Sequence, residues 1–178
     1  MAVHRLAVIC TIIIIIALIS FSAGAGVTCP SACSCAASSQ SSTDSGSRRG
    51  IAVTCSNVKL TSLPSKLPPN SAALDVSGNR LEVLDNSSLP HRGVHGVSTA
   101  NFSRNRIVAI ATASFSRWSN LVNLDLSANR LSSIDHGTFR GAPQTSLQFL
   151  DLSGNRLTDV DGGFSGMTNL FRSVMSSQ

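Results

Sequence analysis

From residue 71 onward the apolar positions recur in a fixed frame. Leu147, Leu150, Leu152 and Leu157, with Asn155 between them, follow the spacing L-x-x-L-x-L-x-x-N-x-L. Residues 121–131 (LVNLDLSANRL) repeat it closely, and 71–81 (SAALDVSGNRL) and 97–107 (VSTANFSRNRI) are looser copies. Their asparagines, Asn79, Asn105, Asn129 and Asn155, stand 26, 24 and 26 positions apart. A period of that size means one supersecondary unit stacked on copies of itself. The L-x-x-L-x-L portion predicts a short strand, since alternate residues of a strand point to opposite faces. Leu74/Val76, Ala100/Phe102, Leu124/Leu126 and Leu150/Leu152 then turn inward and stack between turns. Each Leu-sized side chain so buried contributes about 1.5–3 kcal/mol. The asparagine after each strand is expected inside for another reason: one carboxamide both donates to and accepts from turn backbone that no ladder satisfies.

A second apolar register marks the return side of each unit. Leu89, Phe115, Phe139 and Phe164 lie 10, 10, 10 and 9 positions after their asparagines, which makes them core. The second unit is the weakest, with Val97 and Ala100 at leucine positions, and Pro90–Gly96 reads as a bulge that lengthens the period before it.

Positions between the inward residues form one outward face. It comprises Ala72, Ala73, Asp75 and Ser77, then Ser98, Thr99, Asn101, Ser103 and Arg104, then Val122, Asn123, Asp125 and Ser127, then Gln148, Phe149, Asp151 and Ser153. Solenoids bind partners on such a face. Val122, Asn123, Asp125, Gln148, Phe149 and Asp151 are therefore the candidate partner contacts, with Phe149 and Val122 as anchors, because desolvated aromatic and apolar groups dominate interface energetics. Arg80, Arg106, Arg130 and Arg156 each follow a structural asparagine. Stacked about 4.8 Å apart, four like charges repel, and an anionic partner such as sulfated glycan would relieve them. Asn86-Ser87-Ser88 and Asn101-Phe102-Ser103 are N-glycosylation acceptors. A glycan at Asn101 would stand on the outward face and direct partners to the third and fourth units.

Composition narrows the class. The chain has 178 residues, a net charge of +5, 13% charged residues, one Trp and no Tyr. The positive charge is dispersed, which argues against a nucleic-acid partner. Residues 1–25 read as a signal peptide: a basic start, an apolar run from Leu6 to Ile19, then Ala23-Gly24-Ala25 for cleavage. No later segment has the length and apolarity of a membrane span. Cys10 leaves with the leader, and Cys29, Cys33, Cys35 and Cys55 form an even set suited to disulfides in an oxidising compartment. Four cysteines allow three connectivities. C-x3-C-x-C is poor zinc spacing, and His91 and His95, four apart, sit among Pro90, Gly93 and Gly96, where no helix would align them on a metal. No nucleophile elbow occurs. Neither enzyme activity, a metal nor a cofactor is implied.

The whole pattern resembles extracellular leucine-rich repeat proteins of the typical repeat type. Cys29-Pro30-Ser31-Ala32-Cys33-Ser34-Cys35, Val53-Thr54-Cys55 and Leu60-Thr61-Ser62-Leu63-Pro64 look like their cysteine-rich N-terminal cap. The resemblance implies pairing of Cys29 with Cys35 and of Cys33 with Cys55. It likens Leu89, Phe115, Phe139 and Phe164 to the phenylalanine spine of such proteins. It implies an α/β repeat solenoid with a parallel concave β-sheet and mostly loops or short 3-10 turns on the convex side. The domains would be a cap at 26–69 with a Ser/Gly-rich insert at 36–50, about four repeats at 70–170, and an incomplete repeat or tail at 171–178. The family's C-terminal cysteine cap has no counterpart, which points to a fragment of a longer ectodomain, the alternative being a makeshift cap from residues 170–178. The expected function is extracellular protein–protein interaction, as a secreted binder or part of a receptor or adhesion ectodomain. The alternative is a matrix component that binds sulfated glycosaminoglycan through the arginine ladder.

Overall fold

The computed structural model describes residues 28–37, 50–160 and 162–170, and the backbone alone of 172–174. The leader assigned to 1–25 and all but the ends of the insert assigned to 36–50 lie outside the described residues. Strands β1 (Ser34–Ala37), β2 (Ile51–Thr54), β3 (Ser71–Asp75), β5 (Thr99–Asn101), β7 (Asn123–Asp125), β8 (Phe149–Asp151) and β9 (Arg172–Val174) form one sheet in the order β1-β2-β3-β5-β7-β8-β9. Only β1 runs antiparallel; it pairs with β2, and every later pairing is parallel. Each parallel step is one turn of the solenoid.

The register carries the repeat. Leu74 pairs with Ala100, Ala100 with Leu124, and Leu124 with Leu150, so equivalent residues stack across four turns. All four are buried, as are Val76, Phe102, Leu126 and Leu152 beneath them. On the opposite side the chain returns through i to i+3 turns, such as Trp118 N–H to the Phe115 carbonyl. That side also holds a small parallel sheet of β4 (Val83–Leu84) and β6 (Ala109–Ile110), and a one-turn helix α1 (Pro143–Ser146). The convex aromatics pack in sequence: Phe115 stacks on Phe139 at 6.4 Å and Phe139 on Phe164 at 6.5 Å. Phe102 and Trp118 join them, with Phe102 5.9 Å from Phe115 and 6.3 Å from Trp118.

The N-terminal end is closed by the cap. Disulfides join Cys29 to Cys35 and Cys33 to Cys55, and fully buried Cys55 and Val53 cover the core of the first repeat. The expected bulge at Pro90–Gly96 lies against the cap: His91 N–H donates to the Ser65 carbonyl, and Leu67 N–H to the Arg92 carbonyl. Beyond Leu170, where the leucine pattern is lost, the main chain still pairs, with Phe149 opposite Arg172 and Leu150 opposite Ser173.

Candidate functional site

The asparagine positions are built as internal hydrogen-bond stations. Asn129 Nδ2 donates to the Leu126 carbonyl of its own turn at 2.9 Å and to the Phe102 carbonyl of the preceding turn at 3.0 Å. Its Oδ1 accepts the Ile107 N–H at 3.1 Å. Asn105 and Asn155 repeat the arrangement on Val76 with Phe102 and on Leu126 with Leu152. Asn79 begins it on the cap, with Val58 and Leu60 N–H on Oδ1 and the Cys55 carbonyl on Nδ2. These residues fix the turns and offer nothing to solvent.

Outside them the strands present a flat row. Asp75, Asn101, Asp125 and Asp151 sit side by side, each half-buried, and each accepts through Oδ1 the N–H two residues on, at 2.8–2.9 Å. Those turns end the strand and bring the next residues inward. Ser103, expected to face outward, is buried at 7% exposure, whereas Ser77, Ser127 and Ser153 at the equivalent places are half-buried. Its carbonyl accepts Gly78 N–H, and the Asn105 carboxamide also donates to it.

Four of the six candidate partner contacts come together. Asn123, Asp125, Phe149 and Asp151, with Thr99, line a shallow depression of about 380 Å³ on the concave sheet, floored by Ala100, Leu124 and Leu150. Phe149 is 46% exposed, the large apolar group that this face shows to water. Asn123 is tied to Thr99 Oγ1 at 3.3 Å. Val122 and Gln148 precede β7 and β8, are half-buried and do not line the depression. Val122 uses its carbonyl to accept Gln148 and Phe149 N–H. Thr99, outside the six candidate contacts, joins them here, and its place opposite Asn123 in the register is the signal for it.

The arginines form a second stripe. Arg80, Arg106, Arg130 and Arg156 are all exposed, and their N–H groups donate to Leu60, Leu81, Ile107 and Leu131 of the preceding turn, so they occupy equivalent places. Asn86 is exposed in a turn organised by Asp85. The Asp85 carboxylate accepts the Ser87 hydroxyl and the Ser88 and Ser87 N–H groups, which hold its pKa down at about 2. His91 and His95 are exposed on either side of buried Val94.

A sequence model of the family described as Leucine rich repeat matches residues 101–157 and again 119–172. The chain carries leucine-rich repeats there and has the fold of a leucine-rich repeat solenoid. Its repeats follow a cysteine-rich cap cross-linked by two disulfides. Among its relatives is Tsukushi-A of Xenopus laevis, 36% identical over 95 residues, which are 53% of this chain and 27% of that protein. Tsukushi of Mus musculus is 33% identical over 97 residues, 54% of this chain and 27% of the relative. Leucine-rich repeat-containing protein 3B of Homo sapiens is 33% identical over 91 residues, 51% of this chain and 34% of the relative. The matches thus span about a quarter to a third of the relatives' length. The two disulfides fit a chain outside the cytosol, secreted or on the extracellular side of the cell surface, where they persist. Among its described residues no helix is long and apolar enough to cross a membrane.

Proposed function

We propose that the protein is an extracellular interaction module that docks a partner protein on the concave face of its second to fourth repeats. The observation that carries the reading is the depression between β5, β7 and β8, where half-exposed Phe149 stands beside Asp125 and Asp151. An aromatic anchor ringed by polar groups is the usual anatomy of an interface, with apolar centre and polar rim. A partner suited to it presents an apolar pocket for Phe149 and a basic side chain toward the two carboxylates. The test is a screen of the multimerised, secreted chain against cell-surface and matrix ectodomains, repeated on each hit with two variants. Phe149→Ala is expected to weaken binding at least about 30-fold, the scale of a hot spot. Val83→Ala, at an exposed valine of the small convex sheet, is expected to leave it unchanged. Hits indifferent to Phe149→Ala and Asp151→Ala would remove the concave face from consideration.

A second reading has its own observation in the four exposed arginines at equivalent places. They would receive a sulfated polyanion such as a glycosaminoglycan, releasing their mutual repulsion. Heparin affinity chromatography separates this from the first reading. Elution that shifts to lower salt with Arg130→Ala plus Arg156→Ala supports it, and elution unmoved by that pair rejects it.

A further inference from the structure

Asn101 breaks the carboxylate row of the concave sheet, and its surroundings give that break a use. The turn after each strand needs one side-chain oxygen to accept the N–H two residues on, and Asp75, Asp125 and Asp151 meet that need as well as Asn101 does. The exchange of Asp for Asn is neutral for the turn, but it places a carboxamide nitrogen on the outward face. With Oδ1 held by Ser103 N–H at 2.9 Å, Nδ2 is the free end of the group; no described residue accepts from it. The contrast with Asn79, Asn105, Asn129 and Asn155 is direct, because their nitrogens are buried in two or three hydrogen bonds and could carry no substituent. Asn101 also has the hydroxyl residue Ser103 two positions on, as an N-glycosylation acceptor requires. Its neighbours in the row are Asp75 and Asp125, short side chains that leave space above them and can accept from sugar hydroxyls.

We propose that Asn101 carries an N-linked glycan that stands on the concave sheet and divides it. In the transfer, the Asn101 amide nitrogen bonds to the anomeric carbon of a polyprenyl-pyrophosphate-linked oligosaccharide. The carbon–oxygen bond to the pyrophosphate breaks, the nitrogen gives up one proton, and nothing is oxidised or reduced. The glycan closes the β3 side of the face and borders the depression along β5. A partner is thereby shut off from β3 and left with the depression between β5, β7 and β8, which deepens the docking reading above and rests on it only for that last step.

The test uses the full chain secreted from a eukaryotic cell line. Enzymatic deglycosylation in heavy-oxygen water converts each occupied asparagine to a labelled aspartate, which peptide mass mapping locates. Label at Asn101 is expected, together with loss of one glycan step in gel mobility for Asn101→Asp. That variant keeps the turn acceptor found in the neighbouring rows, so it folds. Full recovery of the Asn101 peptide without label, or Asn101→Asp with unaltered mobility, overturns the proposal. The readout needs no partner, so its failure and the failure of concave docking are told apart: an unlabelled Asn101 with Phe149-dependent binding leaves the docking intact.

Discussion

At the residue scale one side chain type solves a problem that neither strand nor helix solves. Where the chain leaves each strand and bends, main-chain carbonyls and N–H groups turn inward without ladder partners, and each asparagine answers both kinds. The answer depends on having donor and acceptor on one planar group. Removing it strands several buried backbone groups, each costing about 1–3 kcal/mol when left without a partner. Asn129→Ala is therefore expected to lower unfolding free energy by about 3 kcal/mol or more, read from urea denaturation of the secreted chain. Asn129→Asp, nearly identical in shape but without the donor and charged in a buried place, should do no better. A loss within about 0.5 kcal/mol, the range of an ordinary surface substitution, would mean that the ladder is decoration.

The element scale shows how far a single sequence could be read. The strands were legible because burial and pairing impose the same spacing on every turn, so Leu74, Leu124 and Leu150 announce themselves by periodicity. The observed strands are shorter than the six-residue frame, three residues at β5, β7 and β8, since the turn acceptors end them early. Ser103, two positions past the end of β5, is buried where alternation would put it outward, unlike Ser77, Ser127 and Ser153 at the equivalent places. The convex side was less legible: its apolar positions recur, with Leu84, Ile110 and Ile134 each five residues after an asparagine, but β4, β6 and α1 are only two to four residues long, too short for spacing alone to announce an element. Of the site, the row of outward positions could be read, whereas which of them enclose a depression depends on side-chain volumes on adjacent strands. The second repeat shows such an exchange of volume. Ala100 is small where its neighbours hold leucine, and the space is filled two residues on by Phe102, packed against Phe115 and Trp118. Phe102→Ala is expected to cost about 3–5 kcal/mol in denaturant unfolding. Val108→Ala, on an exposed side chain nearby in sequence, should stay within about 0.5 kcal/mol. Equal losses would show that the second repeat is loosely packed.

At the scale of the whole molecule, stability is shared between neighbours instead of drawn from one centre. Each turn contacts the turn before and the turn after, in the manner of a one-dimensional array, and the cap supplies the first turn with the neighbour it would lack. The two disulfides tie the cap's own short strands together, so that it can serve as a rigid first surface. The array also separates its charges: carboxylates line the concave row, and arginines follow it five residues later along the edge. A partner approaching the sheet and a polyanion approaching the edge need not compete.

The asparagine ladder also has a direction. Asn105 completes the turn begun by Asn79, because its Oδ1 takes Leu81 N–H and its Nδ2 takes the Val76 carbonyl; Asn129 does the same for the second turn and Asn155 for the third. Each turn is thus sealed by its successor, never by its predecessor. A chain delivered amino end first can seal itself like courses of brick laid upward from a foundation. At every moment of growth a single course is open, and the cross-linked cap is the ground on which the first is laid.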